Sequence, residues 1–573
     1  MQGTDWFDAV MRTNILGSLI VTVGLALPPG GLALVSTSAM AQSSETSSAR
    51  YLSARHARHQ KDTATAARLY KQLLDEAPEN PRLMQAAFLA MLSDGQVEDA
   101  FAIAGKITKA NPRAGLANIV TAIKHINKDD FVAAEKSLSK ATRSRFNGLL
   151  VPMTEAWTRV GQDKFDGGLK ALKSLRKKKT YRLFHSFHLA VINDLAGRAE
   201  PADAAYQKTM SDRNGSQLRT VELYGNFLER QGRREDARKL YAEYLKFDYD
   251  NPLIVEVDAR AAKGNEAKPE IVNATDGTAE AFYGAAAALV PENALDFAQL
   301  YVQLALALKP DFPAAQSLLG GIHERQRRWA EANTVYSGIN EKSAYGWNAR
   351  IRKAANLDRL KKTDEAAEVL RKLASDYPAR IDALVTLGDI LRARKKFAEA
   401  GKVYTVALSR IPEPRTQDWT LYYSRGISFE RTNRWEEAEK DFLKALDLRP
   451  DQPLVLNYLG YSWIEKGMHL KKAQGMIEKA VKLRPQDGYI VDSLGWVLYI
   501  LKDYKEAVIK LERAVALRPE DPIINSHLGD ALWRFGRRLE AEFQWRHSMV
   551  LNPTEELMKK LKLKIEKGLD AVE

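Results

Sequence analysis

The segment GYIVDSLGWVLYILKDYKEAVIKLERAVALRP, residues 488–519, contains the pattern that decides the fold. Apolar side chains recur at helical spacing in both of its halves: Tyr489, Leu494, Val497 and Leu498, then Ala507, Val508, Leu511, Ala514 and Val515. This spacing predicts two amphipathic helices, neither of which can bury its apolar stripe alone. Pro519 ends the second helix, because a proline ring cannot continue the backbone hydrogen bonding of a helix.

The same pattern recurs along nearly the whole chain. A small residue marks one fixed position in fourteen units: Ala66, Ala100, Ala134, Gly168, Ala204, Ala237, Ala298, Ala332, Ala366, Ala400, Ala438, Ala473, Ala507 and Ala541. Successive marks are 33 to 38 residues apart, except for 61 residues between Ala237 and Ala298. Twelve positions before many of them stands a second small residue, as Gly495 precedes Ala507. Small residues at both positions let paired helices approach closely, and a bulky replacement would overpack the pair.

This register resembles the tetratricopeptide repeat, a helix-turn-helix unit of about 34 residues. The resemblance covers about residues 46–556 and implies an all-α superhelical solenoid of about fourteen units. In such an array each unit buries its open face against its neighbours, so stability is a sum of neighbour interfaces. The 573 residues, which at about 150 residues per domain would suggest four globular domains, are better explained as repeats.

The long spacing divides the predicted array into two. We place an N-terminal array with weaker consensus at 46–252, a joint at 253–277 and a C-terminal array with strong consensus at 278–554. Gly, Pro, Asn and Asp cluster in the joint, as they do in loops. Residues 555–573 read as one helix that caps the open end of the solenoid.

The N-terminus has the pattern of a signal peptide. Residues 13–41 contain no charged side chain and end in Ala39-Met40-Ala41, which predicts cleavage before Gln42. Pro28-Pro29-Gly30-Gly31 interrupts the apolar run, which disfavours a permanent membrane span. We therefore expect an exported protein that is periplasmic or peripherally associated with the envelope. An uncleaved membrane anchor is the alternative. A true start at Met11 would place Arg12 directly before the apolar run, as in an ordinary signal peptide.

Several kinds of chemistry are excluded or disfavoured. The chain has no cysteine, which excludes disulfides, thiolate metal sites, iron–sulfur clusters and a cysteine nucleophile. We find no phosphate-binding loop, dinucleotide fingerprint, HExxH or GxSxG motif, and the repeats leave no room for a catalytic domain. Two histidine pairs, His56/His59 and His185/His188, lack further ligands at metal-site spacing. We predict no enzyme activity, cofactor or metal; an enzyme with an unrecognised site is the alternative from another class.

The resemblance also implies where partners bind. In tetratricopeptide proteins the first helix of each unit lines a concave groove, and ligands usually lie along it. Carried onto the three most regular units, the groove positions favoured for partner contacts are Asn457, Tyr461, Tyr489, Asp492, Trp496, Ser526, Asp530 and Trp533. Rings supply contact area and polar groups fix the register of a bound peptide. The alternative for the tryptophans is that they fill space between helices. The carboxylate clamp of chaperone-binding members is not matched.

One dense group of positive charges stands outside the groove. This basic cluster consists of Lys170, Lys173, Arg176, Lys177, Lys178, Lys179 and Arg182, in a chain of net charge +13. Membrane headgroups, anionic polysaccharide or an acidic partner are its candidate counterparts, whereas nucleic acid is not expected of an exported protein. A solvated loop between repeats is the alternative. We predict a scaffold or assembly factor of the bacterial envelope that binds other proteins, such as assembly or secretion components. The alternative function is a binding module for an anionic polysaccharide or its export machinery.

Overall fold

The computed structural model describes residues 46–143, 147–212, 217–248 and 250–572, and thirty α-helices lie within these ranges. No residue in the described ranges forms a β-strand. The predicted signal peptide lies outside the described residues. Within them, no helix combines the length and the apolar character needed to cross a membrane. The all-α prediction is confirmed.

The chain divides after residue 369 into two compact units. Helices of the first unit are α1 (Ser47–His59), α2 (Thr63–Glu76), α3 (Pro81–Asp94), α4 (Val97–Ala110), α5 (Gly115–Ile126), α6 (Phe131–Lys140), α7 (Asn147–Val160), α8 (Phe165–Leu172), α9 (Arg182–Leu195), α10 (Ala199–Met210), α11 (Leu218–Arg230), α12 (Arg234–Leu245), α13 (Pro252–Ala262), α14 (Ala274–Leu289), α15 (Leu295–Leu308), α16 (Pro313–Arg325), α17 (Trp329–Ser337) and α18 (Ala344–Arg359). The division falls inside α19 (Thr363–Asp376).

The second unit continues the helix pairs to the C-terminus. Its helices are α20 (Asp382–Ala393), α21 (Phe397–Ser409), α22 (Trp419–Glu430), α23 (Trp435–Leu448), α24 (Pro453–Glu465), α25 (Leu470–Leu483), α26 (Gly488–Ile500), α27 (Tyr504–Leu517), α28 (Pro522–Phe535), α29 (Arg538–Val550) and α30 (Glu555–Lys567). Each odd-numbered helix from α21 to α29 packs on the helix before it. The even-numbered helices form a second layer: α20, α22, α24, α26 and α28. Within this layer α26 contacts both α24 and α28. We call this layer the inner face of the second unit.

The paired helices meet where the sequence places its small residues. An added Cβ at Gly320 would lie 2.3 Å from the ring of Tyr336, and one at Gly388 would lie 2.5 Å from the ring of Tyr404. Real Cβ atoms do not approach so closely, so a larger residue would push the helices apart. The small residue of one helix and the large residue of its partner therefore fit as a pair.

Helices α14 and α15 lie against the first helices of earlier pairs. α14 contacts α7 and α9, while α15 contacts α3, α4 and α5. An added Cβ at Gly277 would lie 2.2 Å from the indole of Trp157, and Gln299 Nε2 donates to the Ser93 carbonyl at 2.7 Å. Both helices are buried on more than one side, as expected of helices that are apolar nearly all round. The inner helices of the first unit thus enclose a helix pair of the same chain.

Buried charges fix α14 to α11. The guanidinium of Arg219 is 2.8 Å from carboxylate oxygens of Glu222 and Glu280, and it also pairs with Glu270. The hydroxyl of Tyr345 donates to Glu222 at 3.2 Å. Burial raises the pKa of Glu222 to about 7, although Arg219 opposes the shift. A buried polar network therefore joins α11, which precedes the long spacing, to the segment within that spacing.

The predicted joint is occupied by identifiable structure. α13 covers most of the first half of the joint, and an irregular stretch follows at 263–273. α14 then begins inside the last few residues of the joint. α13 and this stretch account for the extra length between Ala237 and Ala298. The boundary between the compact units lies elsewhere, after residue 369, and the proposed array boundaries stay a prediction. At the C-terminus α30 packs on α29 and buries Leu561.

Candidate functional site

The inner face of the second unit carries all eight residues predicted to contact a partner. Six of them are buried: Asn457, Tyr461, Tyr489, Asp492, Ser526 and Asp530. Trp496 on α26 and Trp533 on α28 are half-buried. The predicted residues thus line one helical layer, but most of their polar groups are covered in this structure. Their role in partner binding stays a prediction.

Trp496 is the centre of an aromatic stack on this face. Its ring lies 4.7 Å from that of Tyr499 and 4.1 Å from that of His527, with interplanar angles of 13° and 20°. His527 Nδ1 is 3.1 Å from both carboxylate oxygens of the fully buried Asp492. A carboxylate can only accept, so Nδ1 carries the proton and the imidazole is held in one orientation. Asp492 acts here by positioning His527 against Trp496.

Asp530 has its partners within the chain. Its carboxylate accepts from Lys564 Nζ at 2.7 Å and from Trp545 Nε1 at 2.8 Å. Lys564 also lies 3.3 Å from the hydroxyl of Ser526. These contacts join α30 to α28, and both charged side chains are buried. Asp530 therefore holds the C-terminal helix in place.

Trp533 takes part in the same packing. Its ring lies 5.3 Å from that of Trp545, and the guanidinium of Arg538 is 5.0 Å from its centroid. The alternative of space filling between helices therefore describes Trp533 well. Trp496 differs, because its neighbours form a stack of flat rings along the inner face.

Asn457 on α24 and Asn525 on α28 each carry a buried amide oxygen that accepts no hydrogen bond within the described chain. The side chain of Asn457 is 5% exposed. A buried amide oxygen without a donor costs about 1–3 kcal/mol, and most such groups in native proteins are satisfied. The two differ in the other half of the amide, because Asn525 donates through Nδ2 to the carbonyls of Pro519 and Asp521. A role of Asn457 in ligand binding stays a prediction.

Sequence reasoning missed two residues of this region, His527 and Lys564. His527 is 35 residues from Asp492, about one repeat, which places the two side chains on adjacent first helices. That spacing was a signal in the sequence for their contact. Lys564 belongs to α30, which falls outside the repeat register, so the register gave no indication of its pairing with Asp530.

The basic cluster lies in the first unit, at the junction of α8 and α9. All seven of its side chains are exposed. The backbone between the helices forms two short 3-10 turns, Lys173–Lys177 and Lys179–Tyr181. Leu172 and Leu175 are buried beneath these turns. The structure therefore presents the cluster on an anchored turn.

The histidine pair at 185 and 188 is part of the packed interior. His188 Nδ1 accepts from Trp157 Nε1 at 3.2 Å, and burial lowers the pKa of His188 to about 3. Burial, followed by the charges of Arg176 and Lys208, lowers the pKa of His185 to about 4. No group of three metal-ligating side chains occurs in the described part of the chain.

Sequence models of the tetratricopeptide repeat match four stretches of the chain. They cover residues 57–123, 352–413, 420–452 and 469–522. The matches fall in both compact units, on the helix pairs described above. These four stretches, which together make up less than half of the chain, contain tetratricopeptide repeats.

Two curated relatives match part of the repeat region. The chain is 30% identical over 187 residues to the TPR repeat-containing protein PA4667 of Pseudomonas aeruginosa, which is 32% of this chain and 31% of that protein. It is 25% identical over 173 residues to the RNA polymerase-associated protein CTR9 of Caenorhabditis elegans, or 28% and 15% of the two chains. The chain thus spans less than a third of either relative.

Solved structures resemble this one at low similarity. The Cut9–Hcn1 hetero-tetramer of the APC/C gives a TM-score of 0.38 at 14% identity, covering 91% of this chain and 96% of that chain. YrrB, described as a TPR protein with an unusual peptide-binding site, gives 0.27 at 19% identity, covering 34% and 98%.

Helices α14 and α15 cover part of the first helices of the first unit. α3 and α5 contact α15, and α7 and α9 contact α14. The eight residues predicted to contact a partner lie outside this covered region, on the inner face of the second unit.

Proposed function

We propose that this protein is a non-enzymatic scaffold that binds other proteins through the inner face of its second unit. The observation that carries the proposal is the unsatisfied amide oxygen of Asn457 on that face. A backbone N–H of a bound segment would satisfy it, and the half-buried Trp496 on the same inner face adds apolar contact area. An extended peptide or a helix can use both kinds of contact.

We further propose that the scaffold acts in the bacterial cell envelope as an assembly factor. The uncharged segment 13–41 and its Ala39-Met40-Ala41 end support export. Fractionation of the native host and N-terminal sequencing of the chain test this point. A mature chain that begins at Gln42 in the periplasmic or envelope fraction is expected, and a cytoplasmic chain with an intact N-terminus contradicts it.

Site-specific photocrosslinking tests the binding face. A benzoylphenylalanine at Trp496 should crosslink a discrete partner in the native host, and the same group at Phe543 should not. Phe543 is the matched control because it is 66% exposed and lies on α29, in the outer layer. The adduct should disappear when Asn457→Ala is added. The proposed binding face is contradicted if both positions give the same yield of adduct, or if Asn457→Ala does not change the yield at position 496.

A further inference from the structure

The basic cluster interrupts the regular helix pair that carries it. α8 has eight residues, whereas α2 and α4, which hold the same place in their pairs, have 14 each. The missing helical turns are replaced by the two 3-10 turns, which carry four of the seven charges, and Lys178 lies between them. From Gly167 to Asn193 the sequence contains no acidic residue. The local structure therefore concentrates positive charge on one exposed junction.

None of the seven cations forms an ion pair within the part of the chain that the structure describes. The contrast is with nearby Arg159 and Arg198, which pair with Glu135 and Asp166. Lys178 lies 5.1 Å over the ring of Tyr181, which is a contact between neighbours and leaves the charge uncompensated. Like charges held together without counter-charges repel each other, so an anionic surface would relieve the repulsion.

The positive charge of the basic cluster also affects a buried side chain next to it, His185. The pKa of the buried His185 is lowered to about 4, by burial first and then by Arg176 and Lys208. Lys208, which is exposed on α10, thus adds to the positive charge around this junction.

We propose that the basic cluster docks the protein on an anionic lipid membrane surface. Clusters of four to eight Lys and Arg residues on a protein surface are characteristic of binding to acidic headgroups. The inference stands apart from the partner-binding face, which belongs to the other compact unit.

The shape of the cluster favours a lipid surface over an anionic polysaccharide. The charges stand on an exposed turn between two helices, where a plane of headgroups can meet many of them at once. Recognition of a sugar polymer uses a cleft and free aromatic faces. The ring next to the cluster, Tyr181, is half-buried and has Lys178 over its face.

Vesicle co-sedimentation of the full chain tests the proposal. Vesicles that contain phosphatidylglycerol should bind the protein at low salt and release it at high salt, because screening weakens attraction between exposed charges. Vesicles of phosphatidylcholine alone measure any binding by the apolar segment 13–41. Each Lys or Arg near an anionic surface contributes about a fivefold factor in partitioning. The partition coefficient of the variant Lys177→Glu/Lys179→Glu onto these vesicles should therefore be lower by about 25-fold or more.

The matched control is Lys106→Glu/Lys109→Glu on α4. Both lysines are exposed and the change in net charge is the same. This variant should keep most of the binding, and Asn457→Ala/Trp496→Ala should keep all of it. The proposal is wrong if the control loses as much affinity as the cluster variant, or if phosphatidylglycerol does not increase binding. It is also wrong if soluble dextran sulfate binds at the cluster while anionic vesicles do not.

Discussion

Lys564 and Asp530, 34 residues apart, form a buried ion pair in which Nζ lies 2.7 Å from both carboxylate oxygens. The pair is a buried polar connection between the last helix and the repeat before it. Removing one partner leaves an uncompensated buried charge, which typically destabilises by about 3–5 kcal/mol. Lys564→Ala should therefore detach α30. Hydrogen exchange of α30 and α28 measures the effect, and the exposed Lys559→Ala is the control. Unchanged protection in Lys564→Ala would contradict the role assigned to the pair.

The second prediction concerns the contact between α14 and α7. Gly277→Ala places a methyl group against the indole of Trp157, so we expect a loss of about 1–3 kcal/mol in the free energy of unfolding of the first unit. Gly105→Ala on α4 is the control, because no atom lies within 4 Å of its added Cβ. There the helix should gain about 0.5–1 kcal/mol. Urea unfolding followed by circular dichroism gives the free energy of unfolding of both variants. If the two substitutions change it equally, Trp157 does not restrict the space at Gly277.

Stability of the first unit should depend on pH through Glu222. Its pKa in the folded protein is raised from an ordinary value near 4.5 to about 7, chiefly by burial. The folded state thus holds a proton that the unfolded state releases, so stability is full below about pH 4.5 and falls as pH rises through about 7. The groups facing Glu222 are Arg219, Glu270, Glu280 and Tyr345.

Glu222→Gln is the matched variant, because it keeps the shape and cannot ionise. Denaturation midpoints measured between about pH 5 and 8 should fall for the parent chain and vary less for the variant. The free energy of unfolding of the parent chain should differ between the two ends of this pH range by about 3 kcal/mol at most. A parent chain whose midpoint rises over this range would contradict the assignment.

The fourth prediction separates stability from binding at Asn457. Asn457→Leu removes a buried acceptor that has no partner, so the second unit should become more stable by about 1 kcal/mol while partner crosslinking at Trp496 is lost. Asn525 also has an amide oxygen without a partner, but Asn525→Leu should destabilise by about 1–3 kcal/mol, since the Pro519 carbonyl loses its Nδ2 donor. Thermal unfolding and crosslinking of both variants give the comparison. Loss of stability in Asn457→Leu would indicate that the amide is satisfied in the native protein.

Much of the fold could be predicted from the sequence because its repeat is local. The pairing of Gly388 with Tyr404 spans 16 positions and recurs at the same spacing in several other units, so a pattern of small and large residues is enough to identify it. The solenoid of about fourteen units is confirmed on this basis. The pattern in a single unit is too weak to identify the repeat, but its recurrence at a nearly constant spacing along the chain identifies it.

The polar contacts of the site could not be predicted in the same way. Asp492 and Asp530 were expected to seek external partners because burial alone gives a carboxylate no benefit. The structure supplies His527 and Lys564 instead, one from the neighbouring unit and one from beyond the repeats. Likewise, α15 meets Ser93 across 206 residues, a contact that depends on how the array turns and not on its period.

The enclosure of α14 and α15 also determines the order in which the first unit can be completed. Repeat arrays usually form by addition of one unit to the next, since each contacts only its neighbours. Here the inner sides of α3 to α9 stay uncovered until residues 274–308 have been synthesised. Contacts of such long sequence separation slow folding, because the chain must close a large loop first. A nascent chain that has reached only residue 252 therefore exposes its interior, and the first unit is completed as one structure, not repeat by repeat.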